Sequence, residues 1–263
     1  MGRDDRKYGD HSGNRVLCRF YNHGSIGDQS SSFSGVYPIG SGHSYIWEFS
    51  PVVAASVVDT NGFRRHIVSD GISGLVDASP EGTPWSFEPL SGYSNPNQEN
   101  LAMSDNENSW PNSWPNRTED WNGEWNGQYG KYVRADQESY FVVDDRYNSE
   151  FEFWPDQNDI PEDPAVSPDE HRRGLGIEME ARGYQWNHPA AEDIIIVTYW
   201  ITNVGSSVLD SVVFGMYGDA DIGGASSFSD DDAWFDTEND MVYQWDHDCL
   251  LYTSDAADDR IGV

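Results

Sequence analysis

Aspartates are concentrated near the C-terminal end of the chain, in the stretch DADIGGASSFSDDDAWFD at residues 219 to 236. Asp219, Asp221 and Gly224 match the first, third and sixth positions of the loop with which many proteins hold Ca²⁺. The match is partial, because Asp230, with its shorter side chain, replaces the glutamate that ends such a loop. Carboxylates held close together repel one another unless a cation lies between them. The pattern therefore leaves two alternatives, a calcium site on loops at the rim of the fold and a solvated acidic loop. The candidate ligands are Asp219, Asp221, Asp230, Asp231 and Asp232.

Tryptophans are concentrated in the stretch SWPNSWPNRTEDWNGEWNGQYG, residues 109 to 130. Four of the chain's 11 tryptophans lie there: Trp110, Trp114, Trp121 and Trp125. The prolines and glycines between them disfavour a helix and predict a series of tight turns. Indoles spaced by turns can fold inward and anchor a loop, or project outward as a stacking surface for sugars. Anchoring is the favoured interpretation, and binding of a polysaccharide by these four side chains is the alternative.

Residues that could carry catalysis form no recognisable constellation. The seven histidines are scattered, and none lies in an H-E-x-x-H pattern, so a zinc site is only weakly supported. The stretch GHSYI at residues 42 to 46 departs from the G-x-S-x-G pattern of a nucleophilic serine at Ile46. Glu178 and Glu180 share one face of a predicted strand, where alternating acids are more often solvated than catalytic. No catalytic residue is predicted.

The charge of the chain limits its partners. The formal net charge is −31, with 15 Lys and Arg against 46 Asp and Glu. Such an excess of acids repels nucleic acids and anionic membranes, so neither is expected as a partner. The sequence also lacks an apolar run of about eighteen residues, the length that a membrane-spanning helix needs. The acids are expected to be solvated on the surface, and some of them could be neutralised by Ca²⁺.

The elements that must position these residues are strands. Runs with strand character are bounded by Gly, Pro, Asn, Asp and Ser, and helical periodicity is nearly absent. Strands are predicted at residues 15–21, 44–49, 52–59, 64–69, 139–145, 149–155, 175–186, 191–205, 210–224 and 241–248. Between the fourth and fifth of these lies a long polar span, residues 72–136, that contains the tryptophan stretch. Mostly antiparallel strands joined by polar turns predict an all-β fold, an antiparallel β-sandwich.

The sequence allows more specific predictions for two of these strands. In residues 175–186, Ile177, Met179 and Ala181 alternate with polar residues, so they are expected to share a buried face. Residues 191–205 are apolar on both faces near their centre, which is typical of the middle of a sandwich. The stretch VGSSVL then predicts a hairpin that joins this strand to the next one.

Both ends of the chain differ from the rest. Residues 1–13 are polar and charged and are expected to be disordered, and residues 14–248 are expected to form the sandwich domain. Residues 249–258 would be encoded by TGT CTC TTA TAC ACA TCT GAC GCT GCC GAC, which resembles an adapter used in preparing sequencing libraries. Residues 249–263 are therefore interpreted as a non-native tail, and the chain as a metagenomic fragment whose native part is truncated after about Asp248.

Several stretches carry a resemblance to known proteins, among them DWNGEWNGQYGKYVRADQESYFVVDD and GLGIEMEARGYQWNHPAAEDIIIVTYWITNVG. They resemble the N-terminal regions of large exported proteins of marine and sediment bacteria, many of which carry a sorting domain for type IX secretion. The stretch ITNVGSSVLDSVVFGMYGDAD resembles immunoglobulin-like adhesion and surface-layer modules. The resemblance implies an extracellular or cell-surface module that acts in display or adhesion, and it brings no activity with it. The alternative is a carbohydrate-binding or carbohydrate-active domain that uses the tryptophan-rich region.

Overall fold

The computed structural model describes residues 3–28, 33–73, 78–80, 82–83, 85–163, 170–222 and 231–246. Within these ranges the chain is an antiparallel all-β protein, as predicted, and its helices are three short 3-10 turns at Arg3–Asp5, Glu107–Ser109 and Glu119–Trp121. The strands are β1 (Tyr8–His11), β2 (Cys18–Tyr21), β3 (Ile46–Val58), β4 (Arg64–Asp70), β5 (Glu88–Pro89), β6 (Ala102–Met103), β7 (Gln137–Asp144), β8 (Ile177–Gln185), β9 (Ile196–Asn203), β10 (Asp210–Ala220), β11 (Asp231–Asp236) and β12 (Met241–Asp246).

Two sheets form the body of the molecule. The first has the strand order β10-β3-β4, and the second has the order β5-β7-β8-β9, with β6 also paired to β7. β1 with β2 and β11 with β12 form two further antiparallel pairs. The described part of the chain contains no helix that is long and apolar enough to cross a membrane.

One apolar core joins the two sheets. Val53 and Ala55 of β3 lie in the same buried cluster as Phe141 of β7 and Met179 of β8. The predicted inner face of β8 is confirmed, because Ile177, Met179 and Ala181 are all buried in this core. Successive side chains of a strand point to opposite faces, so the alternation of apolar and polar residues in β8 follows from this one-sided burial.

A second apolar cluster covers the other face of β7. Tyr140 and Val142 alternate with the core residues of that strand, and they pack against side chains of the tryptophan-rich stretch. The described part of the long polar span predicted between the strands is therefore a layer that contains β5, β6 and two of the 3-10 turns. The second sheet is enclosed between the core on one face and this layer on part of the other.

The prediction of a disordered N-terminus is wrong for residues 3–13. β1 pairs with β2, and His11 is fully buried. The His11 ring lies 4.4 Å from the Phe20 ring, and its Nε2 lies 2.8 Å from the hydroxyl of Ser139. The partners of this polar segment come from distant parts of the chain, so local composition does not reveal them.

Three of the predicted strands differ in the structure: two are merged into one, and the third is not a strand. The strands predicted at residues 44–49 and 52–59 are merged into the single strand β3 (Ile46–Val58), which passes through Pro51. Residues 149–155 form no strand, because the backbone turns there and the N–H of Phe153 donates to the carbonyl of Phe151 at 2.9 Å. Phe153 and Trp154 are nevertheless buried. The spacing of apolar residues in this segment therefore indicates burial and does not indicate pairing with a neighbouring strand.

The C-terminal strands differ most from the predictions. β9 is the edge of the second sheet, and its outer face is open, with Ile196 and Trp200 exposed. β9 and β10 form no hairpin, since β10 pairs with β3 in the other sheet. Contact between the two sheets on this side includes Tyr199 and Phe214, whose rings are 5.4 Å apart. Residues 247–263, which include the predicted non-native tail, lie outside the described residues.

Candidate functional site

The four tryptophans of residues 109–130 mainly anchor their own segment. Trp114 and Trp125 are buried, with 3% and 2% of their surface exposed, and Trp110 and Trp121 are half-buried against the same cluster. The ring of Trp125 lies 5.4 Å from that of Trp110 and 6.0 Å from that of Trp114. These positions contradict a platform of four exposed indoles and agree with the favoured interpretation that the side chains anchor a loop.

Each buried indole also fixes its backbone surroundings through its N–H group. Trp114 donates to the carbonyl of Glu124 at 2.9 Å, and Trp125 donates to the carboxylate of Glu138 at 2.7 Å. The predicted tight turns are present, and Gly123 adopts a φ of 78°, which favours glycine. The segment is therefore held against the outer side of β7, while its hydrophilic residues remain available for contacts with other molecules.

The half of the sheet that this segment leaves uncovered forms a pocket of about 290 Å³, which we call the outer-face pocket. It lies on β8 and β9 beside the edge of the tryptophan-rich segment. Its lining residues are Arg117, Gln128, Tyr129, Glu180, Arg182, Thr198, Tyr199 and Trp200. None of them belongs to the candidate sites predicted from the sequence.

The strand register brings the floor of the outer-face pocket together. Glu180 is the cross-strand neighbour of Trp200, and Arg182 is that of Thr198. These side chains point to the outer face because Met179 and Ala181, which alternate with them, are buried in the core. Glu180 was expected to be an ordinary solvated acid, whereas the structure places it in the floor of a pocket.

Both arginines of the outer-face pocket are held by one asparagine. Arg117 donates from Nε to the side-chain oxygen of Asn126 at 2.7 Å, and Arg182 donates from Nη1 to the backbone carbonyl of Asn126 at 2.5 Å. Asn126, which follows the anchoring Trp125, is fully buried. The guanidinium of Arg182 also lies 3.8 Å above the ring of Tyr140. The positions of the two cations therefore depend on the anchored loop.

A chain of hydrogen bonds continues from Asn126 to the carboxylate of the pocket. Asn126 donates to the side-chain oxygen of Asn116 at 3.0 Å, and Asn116 donates to the hydroxyl of Tyr140 at 2.8 Å. Tyr140 in turn donates to the carboxylate of Glu180 at 2.9 Å. The charged groups of the outer-face pocket are thus held by one network, and a ligand would meet side chains that are already oriented.

Aromatic rings border this polar floor. Trp200 is 69% exposed, and Tyr129, on the opposite segment, is 67% exposed. Gln128, which also lines the pocket, accepts a hydrogen bond from Tyr184 at 2.9 Å, so its amide is fixed as well. A flat indole beside donors and acceptors of fixed position can bind a molecule that has both an apolar face and polar groups.

The phenols near the pocket are poor bases. Burial and the neighbouring carboxylate of Glu180 raise the pKa of Tyr140, and burial raises the pKa of Tyr199. Both hydroxyl groups are therefore protonated at neutral pH. Among the lining residues, Glu180 is the single carboxylate.

The predicted calcium ligands lie at the end of β10 and the start of β11. Asp219 is in β10, Asp221 is buried just after it, and Asp231 and Asp232 begin β11, which was expected to be part of a loop. The Asp231 carboxylate accepts the backbone N–H of Ile222 at 3.1 Å. Asp230 lies outside the described residues, and within them no group of three or more His, Cys, Asp or Glu is arranged to hold a metal ion. Calcium binding stays a prediction.

Comparison of the chain with known proteins found no matching family model, no matching curated protein and no matching solved structure.

Proposed function

We propose that this chain is a non-catalytic carbohydrate-binding module that holds a saccharide in the outer-face pocket. The observation that carries the proposal is the exposed indole of Trp200 next to Glu180 and Arg182 on the uncovered half of the sheet. The tryptophan-rich segment contributes as support for the pocket and not as the sugar platform itself.

The chemistry of a pyranose ring complements this arrangement. One face of the ring carries C–H groups, which pack on an indole, and its edge carries hydroxyl groups, which need both donors and acceptors. Trp200 offers the flat apolar surface, Glu180 accepts hydrogen bonds, and Arg117 and Arg182 donate them. A small number of oriented polar groups beside an apolar surface is the usual composition of a ligand site.

The same residues favour binding over hydrolysis. Glycoside hydrolases use two carboxyl groups that are roughly 5 to 10 Å apart, one as an acid and one as a base or nucleophile. The lining of the outer-face pocket supplies Glu180 alone, and that carboxylate already accepts a hydrogen bond from Tyr140. The protonated phenols of Tyr140 and Tyr199 supply no general base at neutral pH.

An extracellular or cell-surface location is part of the proposal. It is supported by the resemblance of the sequence to exported bacterial proteins with surface-display and adhesion modules. A saccharide-binding pocket would give such a module a way to attach to a polysaccharide.

The proposal is tested by probing an array of polysaccharides with the purified chain and then measuring affinity for any bound polymer by calorimetry. Trp200→Ala is expected to lower the affinity roughly tenfold or more, since the loss of an aromatic anchor commonly costs more than about 1 to 2 kcal/mol. Trp234→Ala is the matched control, because Trp234 is 67% exposed but lies on β11, outside the lining of the pocket.

Two outcomes would contradict the proposal. An array on which no polysaccharide is bound would overturn it, and so would an equal affinity of Trp200→Ala and the unmodified chain. Circular dichroism of both variants checks that the fold is retained, which is expected because both indoles are exposed.

A further inference from the structure

The charge of the outer-face pocket is opposite in sign to that of the whole chain. The chain carries a net charge of −31, yet the lining of the pocket contains two arginines and one glutamate. Two more cations lie over aromatic rings in the adjoining segment, Lys131 over Trp121 and Arg134 over Tyr129. Four of the chain's 15 basic residues therefore lie in or beside the pocket, and one of these, Lys131, is paired with Asp120.

Both arginines of the pocket have N–H groups that no described residue accepts, although Arg182 is only 5% exposed. Neither Arg117 nor Arg182 forms an ion pair with a described carboxylate. Each guanidinium has five N–H donors, and Arg182 uses one of them in its hydrogen bond to the carbonyl of Asn126. The donors of Arg117 bond to the side chain of Asn126 and, at 3.5 Å, to the carbonyl of Gly127. The two arginines outnumber the single carboxylate of the lining, Glu180, so the pocket keeps a net positive charge that attracts an anion.

The positions of these arginines are also fixed before a ligand arrives. Arg117 lies 4.4 Å above the ring of Trp121, and Arg182 lies 3.8 Å above the ring of Tyr140. Stacking on rings and bonding to the buried Asn126 restrict both side chains, which lowers the entropy lost on binding. A planar guanidinium held in this way suits the paired oxygens of a carboxylate or a sulfate group.

We infer that the saccharide bound in the outer-face pocket is acidic, with a carboxylate or sulfate group held by Arg117 and Arg182. The inference rests on the proposed function, because it names the class of sugar that the same pocket binds. The sugar ring packs on Trp200 while its anionic group reaches the two guanidinium groups. Glu180 remains as an acceptor for a ring hydroxyl.

The acidic surface of the chain does not prevent this contact. Charges further apart than about 8 Å are largely screened at physiological ionic strength, whereas groups in contact are screened much less. The repulsion from distant aspartates therefore mainly slows the approach of a polyanion. The contacts in the pocket determine how long it stays bound.

The experiment compares matched oligosaccharides by calorimetry with the full chain. One probe is an oligogalacturonate, a second is the same oligosaccharide after its carboxyl groups have been reduced to alcohols, and a third is a sulfated galactan oligosaccharide of equal length. An acidic probe is expected to bind roughly tenfold or more tightly than the neutral one. The difference between the two acidic probes shows whether carboxylate or sulfate is preferred, and a preference for either supports the inference.

Variants link the preference to the arginines. Arg117→Gln is expected to weaken binding of the acidic probe roughly tenfold and to weaken binding of the neutral probe much less, because the glutamine amide can still donate to a hydroxyl group but carries no charge. Arg182→Lys keeps the charge but loses the planar fork, so an intermediate loss is expected. Arg15→Gln is the matched control, because Arg15 also lies over an aromatic ring, that of Tyr37, and neither of these two residues lines the pocket.

The outcomes separate this inference from the proposed function. If the neutral probe binds as tightly as the acidic probes or more tightly, and Trp200→Ala still lowers the affinity, the inference of an acidic sugar is wrong. The proposed saccharide site would then still stand. Equal losses of affinity in Arg117→Gln and Arg15→Gln would overturn it as well. If none of the probes and no polysaccharide on the array binds, both proposals fail. Melting temperatures of all variants are measured alongside, and only variants that melt as a folded protein are compared.

Discussion

Replacing Trp125 by phenylalanine tests the anchoring of the tryptophan-rich segment most directly. Trp125 donates to the carboxylate of Glu138 at 2.7 Å, and Glu138 is itself 2% exposed. The other oxygen of that carboxylate accepts the backbone N–H groups of Arg134 and Ala135 at 2.5 and 3.0 Å. Trp125→Phe keeps most of the apolar ring but leaves one oxygen of a buried carboxylate without its donor.

The expected loss follows from that missing donor. A hydrogen bond to a charged group contributes about 1.5 to 3 kcal/mol, and an unmet buried acceptor costs at least as much. We therefore expect Trp125→Phe to lower the free energy of unfolding by about 2 kcal/mol. For a chain of this length, about 2 kcal/mol corresponds to a fall in Tm of roughly 4 to 8 °C.

Denaturant unfolding followed by tryptophan fluorescence and circular dichroism measures the loss. Trp121→Phe is the control, since Trp121 is half-buried and its ring contacts are with Arg117 and Lys131, which are worth about 0.5 to 1 kcal/mol when exposed. Glu138→Gln is then added to Trp125→Phe, and the losses are expected to be less than additive because the two side chains share one bond. Equal losses for Trp125→Phe and Trp121→Phe would refute the anchoring role assigned to the Trp125–Glu138 bond.

Four further outcomes are expected. Burial lowers the pKa of His11 to about 3, so the stability that neutral His11 contributes is fully present above the unfolded pKa of about 6.5 and is lost as the pH falls towards 3. The free energy of unfolding of His11→Gln, measured in urea, should therefore depend less on pH in this window than that of the unmodified chain. Burial raises the pKa of Asp145 to about 6, so its contribution is present below about pH 4 and is lost as the pH rises through 6; Asp145→Asn should flatten that decline. Gly174→Ala should destabilise the fold by about 3 kcal/mol or more in urea unfolding, because φ is 69° and a Cβ would lie 2.3 Å from the carbonyl oxygen of Asp145. Titration with Ca²⁺ should release heat and raise Tm if the aspartates near Asp221 bind it, and a flat titration would end that prediction.

The strands that local pattern could predict are those with one buried face. β4 and β8 lie close to their predicted positions, because alternating side chains mark the face that packs on the core. β9 has the same apolar character, but whether its outer face is covered depends on a neighbouring layer. Its amino acids alone therefore predicted a central strand, and the fold makes it an edge.

The candidate site was harder to predict, since its residues come from separate segments. Arg117 and Gln128 lie in the tryptophan-rich segment, whereas Arg182 and Trp200 lie on neighbouring strands. A signal was present in β8, where Glu180 and Arg182 alternate with buried residues. That signal could not distinguish a solvated face from the floor of a pocket, because the difference depends on which part of the sheet the loop covers.

Local sequence was sufficient to predict the all-β class, the buried face of β8 and the use of indoles to anchor a loop rich in proline and glycine. These properties depend on neighbours along the chain, through the two-residue period of a strand and the backbone limits of Pro and Gly. Only the folded structure shows that His11 is buried, that β10 pairs with β3 and that two arginines line the same pocket as Trp200. Those outcomes depend on contacts between residues far apart in the chain, which the core, the strand register and the anchored loop bring together.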